Sequence, residues 1–173
     1  MPKCCGWTEM LFDVKDLCEN RLDYANPKKL RNIEYFLEVF PAFIEVISKN
    51  ENITRDELEK LPYFDYLVTK LNKADRLPKL KNKGKRRVFF KMKDAIKLFY
   101  DIKNYGLKAP LDMHYYGGGK LCLVRGGRRL VILNFLGYKK VPVRIFSSYE
   151  VFLKLCPSAD WESGPKREGK SNE

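Results

Sequence analysis

The segment LCLVRGGRRL, residues 121–130, joins an apolar run, two glycines and two arginines without interruption. The apolar run predicts a β-strand, and the glycine pair predicts a turn. Residues 128–136 favour a strand by the propensity of their branched apolar side chains. However, the glycine pair before them and Gly137 after them fit a short buried helix with a glycine C-cap. The sequence leaves both structures open.

A strand, a glycine turn, two arginines and a helix together make a device for binding phosphate. The first amides of a helix have no partner inside the helix and point at an incoming anion. Glycine lets an oxygen approach the backbone closely, and arginine offers planar, paired donors to phosphate oxygens. We therefore expect a ligand-binding set formed by Arg125, Gly126, Gly127, Arg128, Arg129 and Lys108.

The two arginines of the turn are not expected to be equivalent. Adjacent residues of a helix point about 100° apart, so both guanidinium groups cannot face one phosphate equally well. We expect one arginine to bind the ligand and the other to pair with an acid or to reach a second phosphate. Arg128 is the favoured ligand residue because it lies nearer the start of the helix.

The segments around this turn predict a mixed α/β unit, from periodicity, glycine positions and capping residues. In chain order they are a short strand at residues 88–90, a helix around residues 95–102 that ends at Gly106, a hairpin of strands 109–116 and 121–125, a strand at 141–146, and a helix capped by Ser147-Ser148 that runs to Leu155.

The residues before this unit predict helices only, from apolar spacing and proline positions. They are a helix over residues 10–18 with Thr8 as its N-cap, a helix that starts at Asn26-Pro27 and kinks or breaks at Pro41, and a helix that starts with the capping box Thr54-Arg55-Asp56-Glu57 and is interrupted at Pro62.

These patterns predict an α+β protein in which a helical N-terminal part precedes a small mixed α/β domain. The expected divisions are a helical subdomain at residues 1–72, a basic linker or loop at 73–87, the α/β domain at 88–157 and a disordered tail at 158–173.

Positive charge is concentrated in two stretches of the chain. The net charge is +12, with 11 Lys/Arg against one acid in residues 70–93, and seven Lys/Arg and no acid in residues 120–144. Such clustering favours polyanionic or phosphorylated partners. The expected nucleic-acid-binding residues are Lys79, Lys81, Lys83, Lys85, Arg86 and Arg87.

Other reactive residue types give weaker indications. The five cysteines lack metal-ligand spacing and there is one histidine, so reduced thiols and no metal site are expected. Asp112 and His114 share one face of a predicted strand, which fits an acid–base pair near the phosphate or a solvent face equally. Tyr115, Tyr116 and Tyr138 fit base stacking or ordinary packing.

Three motifs in residues 91–146 resemble the ParB/sulfiredoxin superfamily. They are GLKAPL at 106–111, similar to the family's G-[LI]-x-x-P-[LI]; LCLVRGGRRL at 121–130, similar to its strand followed by G-E-R-R; and LGYKKVPVR at 136–144, similar to its L-G-x-x-x-[IV]-P-[VA]. The resemblance implies a ParB/sulfiredoxin-like fold and a nucleotide phosphate, or a DNA phosphate, at the glycine–arginine turn.

The resemblance has three departures that bear on function. Gly127 stands where the family has glutamate, and Cys122 lies in the strand rather than in the turn, which speaks against sulfiredoxin chemistry. The metal and phosphate motif E-N-x-x-R of partition proteins has no counterpart after Phe146. Its likeness at 51–55 lies upstream and is better explained by helix capping.

The resulting hypothesis is a ParB-like, DNA-associated protein, of the kind that phages and mobile elements encode, which binds a phosphate at the turn. The alternatives are a nucleotide-dependent phosphotransferase or NTPase of the same superfamily, and a degenerate interaction module. The resemblance implies a nucleotide such as CTP, ATP or ADP with magnesium as ligand. DNA is the expected partner. Whether the protein is an enzyme stays open; if it is one, the resemblance implies a nucleotide hydrolase, a nuclease or a kinase. Without an apolar run of about 20 residues or a signal sequence, a soluble, cytoplasmic protein is expected.

Overall fold

The computed structural model describes residues 7–25, 30–73, 83–116 and 118–156. Within these ranges the chain is a mixed α/β protein with seven helices and a four-stranded mixed sheet. The elements are β1 (Trp7–Asp13), α1 (Val14–Glu19), α2 (Leu30–Lys49), α3 (Arg55–Glu59), α4 (Pro62–Lys73), α5 (Lys83–Tyr105), β2 (Leu111–Tyr116), β3 (Lys120–Arg125), α6 (Gly127–Phe135), β4 (Lys140–Phe146) and α7 (Tyr149–Leu155).

The sheet has the strand order β1-β4-β2-β3. β2 and β3 form an antiparallel hairpin, β2 and β4 are parallel, and β1 is antiparallel to β4. α6 connects β3 to β4 and therefore passes over β2, the strand between them. This connection places the N-terminus of α6 at the end of β3, beside the start of β2.

Alternation along the strands divides the sheet into two differently covered faces. In β4, Val141, Val143 and Ile145 belong to the main hydrophobic core, whereas Phe146 packs with Phe152 of α7 in a second, smaller cluster. The period of two that a strand imposes explains the division. On the α7 face, Asp112 and His114 of β2 are buried and Arg144 of β4 is partly buried.

The N-terminal helices and the sheet share one core. α2 and α4 meet through an aromatic cluster made of Phe36, Phe40, Phe43, Tyr63 and Tyr66. The same core cluster continues through Val14 and Leu17 of α1 to the apolar residues of α6 and β4.

The expected first helix is wrong over residues 7–13. These residues form β1, which pairs with β4 along its full length. Pairing with a partner about 130 residues away outweighs the local helical spacing. α1 begins only at Val14, where the Asp13 side chain accepts hydrogen bonds from the amides of Lys15 and Asp16 at 2.9 and 3.4 Å. The prediction that residues before 72 form helices only is therefore also wrong.

The expected strand at residues 88–90 is wrong as well, since these residues lie inside the 23-residue helix α5. Val88, Phe89 and Met92 are buried on one side of the helix, and Phe90 between them is 63% exposed. This is the pattern of a helix face, not of a strand. The expected linker needs the same correction, because residues 83–87 form the first turns of α5; residues 74–82 of it, like the tail from residue 158, lie outside the described residues.

Pro41 neither ends nor divides α2, which continues from Leu30 to Lys49. Proline removes one backbone donor, but Phe40, Phe43 and Ile44 around it are almost fully buried and hold the helix in place. The capping box of Thr54 and Glu57 is confirmed, and α3 ends at Glu59 before α4 begins at Pro62.

Three secondary-structure predictions for the second half are confirmed. The hairpin of β2 and β3, the strand β4, and the helix α7 with Ser148 as its N-cap all occur. No helix in the described part of the chain combines the length and apolar character that a membrane span requires.

Candidate functional site

The glycine turn joins β3 to a helix, which decides between the two structures that the sequence allowed. α6 runs from Gly127 to Phe135, and Leu130 to Leu133 are all buried in it. Its C-terminus closes by two backbone bonds, from Tyr138 to the Leu133 carbonyl at 3.0 Å and from Gly137 to the Asn134 carbonyl at 3.1 Å. Gly137 has the positive φ of 77° that this Schellman-type closure requires.

The N-terminus of α6 begins at Gly126, which has φ 112° and no side chain to cap the helix. The first intrahelical bond runs from the Leu130 amide to the Gly126 carbonyl at 2.8 Å. The amides of the three residues before Leu130 therefore precede the hydrogen-bond ladder. A side chain is excluded at Gly126, because a Cβ there would lie 2.5 Å from Cδ2 of the fully buried Leu111.

Arg129 holds the turn against the loop before β2. Its Nη1 donates to the carbonyls of Ala109 and Pro110 at 2.6 and 2.8 Å. Burial lowers the pKa of the guanidinium group, Asp112 opposes this effect, and the neighbouring arginines lower the pKa further. Arg129 is thus already bound by the protein itself.

Arg128 has no such partner. It is half-buried and makes no hydrogen bond or ion pair with any residue that the structure describes. The two arginines are therefore unequal in geometry, as expected. The partner of Arg129 is a pair of carbonyl groups, however, and not an acid.

Asp112 holds two further arginines next to the turn. Its carboxylate is fully buried and accepts hydrogen bonds from Arg125 Nε at 2.5 Å and from Arg144 Nε at 2.8 Å, and Arg144 Nη2 forms an ion pair with it at 2.7 Å. Arg125 also lies over the ring of Phe152, at 5.9 Å from its centroid. Arg125 therefore supports the turn structurally, and Asp112 partly neutralises its charge.

The charges around the turn do not cancel. Arg125, Arg128 and Arg144 each act on the pKa of Arg129, and Asp112 is the one acid among the described residues that does so. Four guanidinium groups near one carboxylate leave an excess of positive charge. A partly buried group of cations is screened by salt less than exposed cations are.

Arg21, which the sequence analysis did not select, lies against the same turn. It follows α1 and is only 7% exposed. Its Nη2 lies 2.8 Å from the position that a Cβ on Gly127 would occupy. Its Nε and Nη1 are buried without a hydrogen-bond partner among the described residues. No spacing in the sequence connects Arg21 to the turn, so only the fold brings them together.

The segment that carries Arg21 is fixed to β3. The Tyr24 carbonyl accepts a hydrogen bond from the Leu123 amide, and the Cys122 thiol lies 3.5 Å from the Ala25 carbonyl. These contacts cover part of the free edge of β3. They also keep the residues after α1 beside the start of α6.

Lys108 is not placed at the turn by any contact. Its Nζ lies over the ring of Tyr105, 5.1 Å from the centroid. The carbonyl of the next residue, Ala109, is the one that Arg129 binds. Lys108 therefore neighbours the loop that Arg129 anchors, and its ammonium group contacts the ring of Tyr105.

Asp112 and His114 do not form an acid–base pair, although both lie on the α7 face of β2. Asp112 is bound to the two arginines, and His114 Nδ1 lies 2.7 Å from the Tyr115 carbonyl. Both residues are buried, so the solvent-face alternative is wrong. The His114 ring lies 5.3 Å from that of Tyr149, and its Nε2 is buried without a partner among the described residues.

The tyrosines that were candidates for base stacking are dispersed. Tyr115 is 49% exposed and Tyr138 is 38% exposed. The Tyr116 ring lies 6.1 Å from that of His114. No contact among the described residues joins these three rings into one platform.

The basic surface predicted for nucleic acid is largely a helix face. Lys83, Lys85, Arg86 and Arg87 form the first turns of α5, and Lys79 and Lys81 lie outside the described residues. Lys85 pairs with Glu59 at 3.2 Å. Arg86 and Arg87 are exposed and make no ion pair with any described residue.

This face continues beyond the predicted residues. Arg86, Phe90, Lys93 and Lys97 are exposed and follow the spacing of four, three and four that aligns residues on one side of a helix. We call these four residues, with Arg87, the α5 basic face. Cations around an exposed aromatic ring are suited to a nucleic-acid strand, since phosphates and bases both find partners.

Metal ligands and reactive thiols are not gathered at either site. Among the described residues no group of three or more His, Cys, Asp or Glu side chains could hold a metal ion. Cys18, Cys122 and Cys156 are free thiols, and Cys4 and Cys5 lie outside the described residues. Burial raises the pKa of Cys18 to about 11, despite the nearby Arg21 that lowers it.

Comparisons of the chain with protein-family models, with curated proteins and with solved structures found no match. The resemblance to the ParB/sulfiredoxin superfamily therefore stays a prediction from the sequence motifs, beside a mixed α/β fold whose turn carries the charge of four arginines.

Proposed function

We propose that this protein is a ParB-like, DNA-associated protein that binds a phosphate group, of a nucleotide or of the DNA backbone, at the N-terminus of α6. The observation that carries the proposal is the contrast between the two arginines of the turn. Arg129 is held by the carbonyls of Ala109 and Pro110, whereas Arg128 has no partner among the described residues. A rigid turn thus presents one available guanidinium group.

Three features at the turn act on the same anion. The leading amides of α6 and the helix dipole favour negative charge, Arg128 adds a charged donor, and the neighbouring arginines raise the local potential. Gly126 has no side chain that could cap the helix in place of the anion. A phosphate is the biological anion that best uses several converging donors.

The α5 basic face supports the DNA part of the proposal. Residues 83–97 contain seven Lys/Arg and one acid, Asp94, and the face is solvent-exposed. Exposed lysines and arginines on a helix bind the backbone of nucleic acid through displacement of counterions, which makes the affinity depend strongly on salt and weakly on sequence.

The donor set does not favour the phosphotransferase or NTPase alternative. Phosphoryl transfer requires a carboxylate for magnesium and a base for the nucleophile. Asp112 is the one described carboxylate that acts on Arg129 at the turn, and both of its oxygens are bound to arginines. The residues present therefore do not fit a magnesium ion at this place. The described residues are compatible with binding, either for DNA association or for an interaction module.

A thermal-shift screen over CTP, ATP, ADP and GTP, each with and without magnesium, tests the proposal. A ligand that binds only the folded state raises the melting temperature. We expect at least one nucleotide to stabilise the protein, and Arg128→Ala to remove that stabilisation.

Lys49→Ala is the matched control, because Lys49 is an exposed cation on α2 whose partner is Glu45. It should leave the ligand response unchanged. If no nucleotide stabilises the protein, and Arg128→Ala leaves DNA affinity as it was, the turn is only a basic surface.

A further inference from the structure

The side chain of Arg21 is buried in a place where a lone guanidinium group is costly. It is 7% exposed, and two of its donor atoms have no acceptor among the described residues. Burying a charge is unfavourable because the charge loses its hydration, and only a well-placed partner offsets this loss. Burial accordingly lowers the pKa of Arg21.

No acid among the described residues serves Arg21 as a counter-charge. Cys18 is the one described group whose charge would favour the charged form of Arg21. Its thiol, with a pKa of about 11, is neutral at physiological pH. The N-terminus of α6, against which Arg21 lies, carries the positive end of the helix dipole. Two positive groups face each other there, an arrangement that an anion stabilises.

Gly127 makes this arrangement possible. The Nη2 atom of Arg21 lies 2.8 Å from where a Cβ of residue 127 would be, so any side chain at 127 would displace the guanidinium group. The G-E-R-R pattern has glutamate at this position. The loss of the acid and the presence of a cation in its place act in the same direction, since both make the turn more positive.

We propose that Arg21 and Arg128 together bind a dianionic phosphomonoester at the N-terminus of α6, so that the site prefers a terminal phosphate to an internal phosphodiester. This inference rests on the proposed function and names its ligand class. A phosphomonoester carries a charge of about −1.5 to −2 and three free oxygens. A phosphodiester carries one charge and has only two free oxygens.

The number of available donors matches the monoester. The guanidinium groups of Arg21 and Arg128 and the leading amides of α6 offer more donors than two oxygens accept. Two arginines and a helix terminus also exceed the single charge of a diester. The same chemistry occurs in a free nucleotide and at the 5′-phosphorylated end of a nucleic acid, and the experiment separates these sources.

The experiment measures how much a 5′-phosphate increases affinity. Two 3′-labelled 12-mer oligonucleotides of one sequence, one with a 5′-phosphate and one with a 5′-hydroxyl, are titrated with the full chain by fluorescence anisotropy. The ratio of the two dissociation constants cancels general DNA binding and partial loss of folded protein. We expect about a 10- to 100-fold preference for the phosphorylated end, as charged hydrogen bonds provide.

Four variants assign the preference to residues. Arg21→Met should remove it, Arg21→Lys should keep part of it because the charge remains, and Arg128→Ala should reduce it. Lys97→Met on α5 is the control, which should lower the affinity for both oligonucleotides by the same factor. If Arg21→Met does not fold, Gly127→Ala is the second variant. It keeps Arg21 but places a Cβ 2.8 Å from its Nη2, so it should reduce the preference. Alanine favours a helix, so α6 should still form.

A nucleoside 5′-monophosphate and inorganic phosphate, each against chloride at matched ionic strength, are the competing arm. If the mononucleotide competes although the protein does not prefer the 5′-phosphorylated oligonucleotide, the result supports the monoester site and assigns it to free nucleotides. An unchanged preference in Arg21→Met or Gly127→Ala, with a reduced one in Arg128→Ala, overturns the role of Arg21 and leaves the proposed function standing. A wild-type ratio near one, without competition by either phosphate, overturns the monoester site. If, in addition, no nucleotide stabilises the protein, the proposed function fails as well.

Discussion

The turn at the start of α6 and the α5 basic face both carry several cations. Most cations of the turn are bound by protein groups, whereas those of the α5 basic face are not. At the turn, Arg125, Arg129 and Arg144 are fixed by Asp112 or by backbone carbonyls. On α5, Arg86, Arg87, Lys93 and Lys97 extend into solvent without a partner among the described residues.

This difference predicts two kinds of anion binding. The bound arginines hold the turn in place around Arg128, and salt screens these partly buried cations weakly. Exposed side chains on a helix provide charge without geometry, which gives affinity for any polyanion. We therefore expect the turn to select a phosphate group and the helix to hold a nucleic-acid backbone.

The largest effect is expected from charge reversal on α5. Exchange of Arg86, Arg87, Lys93 and Lys97 for glutamate should lower duplex DNA affinity by about 10³-fold at physiological salt, if each residue contacts one phosphate. The salt slope of log affinity should become flatter by about 0.9 for each lost contact. Anisotropy titrations at four salt concentrations measure both quantities. Phosphate binding at the turn should not change, and unaltered DNA binding would show that α5 is not the DNA surface.

The next effect concerns the anchoring of the turn. Asp112→Ala leaves Arg125 and Arg144 without their common partner. Breaking a buried ion pair costs about 3–5 kcal/mol, and the side chains of these arginines are 36% and 23% exposed, so a loss of about 2–4 kcal/mol in the free energy of unfolding is expected. Urea unfolding measures it. Glu59→Ala, which breaks the exposed pair with Lys85, should cost less than about 1 kcal/mol. Equal costs for the two variants would contradict the contrast between the regions.

A smaller effect should distinguish the two arginines of the turn, one by ligand affinity and the other by the free energy of unfolding. Arg128→Ala should weaken ligand binding by about 1.5–3 kcal/mol with little change in the free energy of unfolding. Arg129→Ala should instead destabilise the fold, by about 1–3 kcal/mol, because the Ala109 and Pro110 carbonyls lose their donor. Calorimetric binding and urea unfolding on both variants test this pair. The opposite assignment would mean that Arg129 leaves its carbonyls to bind the ligand.

The smallest effect reports on the dry surroundings of Arg21. The Cys18 thiol has its pKa raised from 9.0 to about 11 by burial, so between these pH values the folded state keeps a proton that the unfolded state loses. The free energy of unfolding contributed by Cys18 should therefore fall as pH rises from 9 to 11. Because the residue is only half buried, the fall is on the order of 1 kcal/mol. Unfolding of the wild type and Cys18→Ala across this range isolates it, and a constant difference would show that the thiol is hydrated.

Local sequence signals were reliable where the structure depends on neighbours in the chain. The capping box at Thr54, the hairpin of β2 and β3, and the cap of α7 at Ser148 all follow from residues within a few positions of each other. The same holds for the turn itself, because Gly126 and Gly137 fix the backbone where a positive φ is needed.

The sequence signals failed where distant segments meet. β1 has helical apolar spacing, yet β4 supplies a full set of hydrogen bonds to it. Val88 and Phe89 favour a strand by propensity, yet burial against α4 makes them part of α5, as the contact between the rings of Phe64 and Phe89 shows. In both cases tertiary contacts exceed propensities worth only about 1 kcal/mol.

The sequence by itself determined the charge, the glycine–arginine turn, the hairpin and the inequality of Arg128 and Arg129, because each depends on residue chemistry or on adjacent positions. The tertiary structure alone decided that residues 128–135 form a helix, that Asp112 binds arginines from β3 and β4, and that Arg21 lies against Gly127. These outcomes depend on which surfaces are buried together. Burial gives a charge its partners, or leaves it without them, and no spacing in the chain records that.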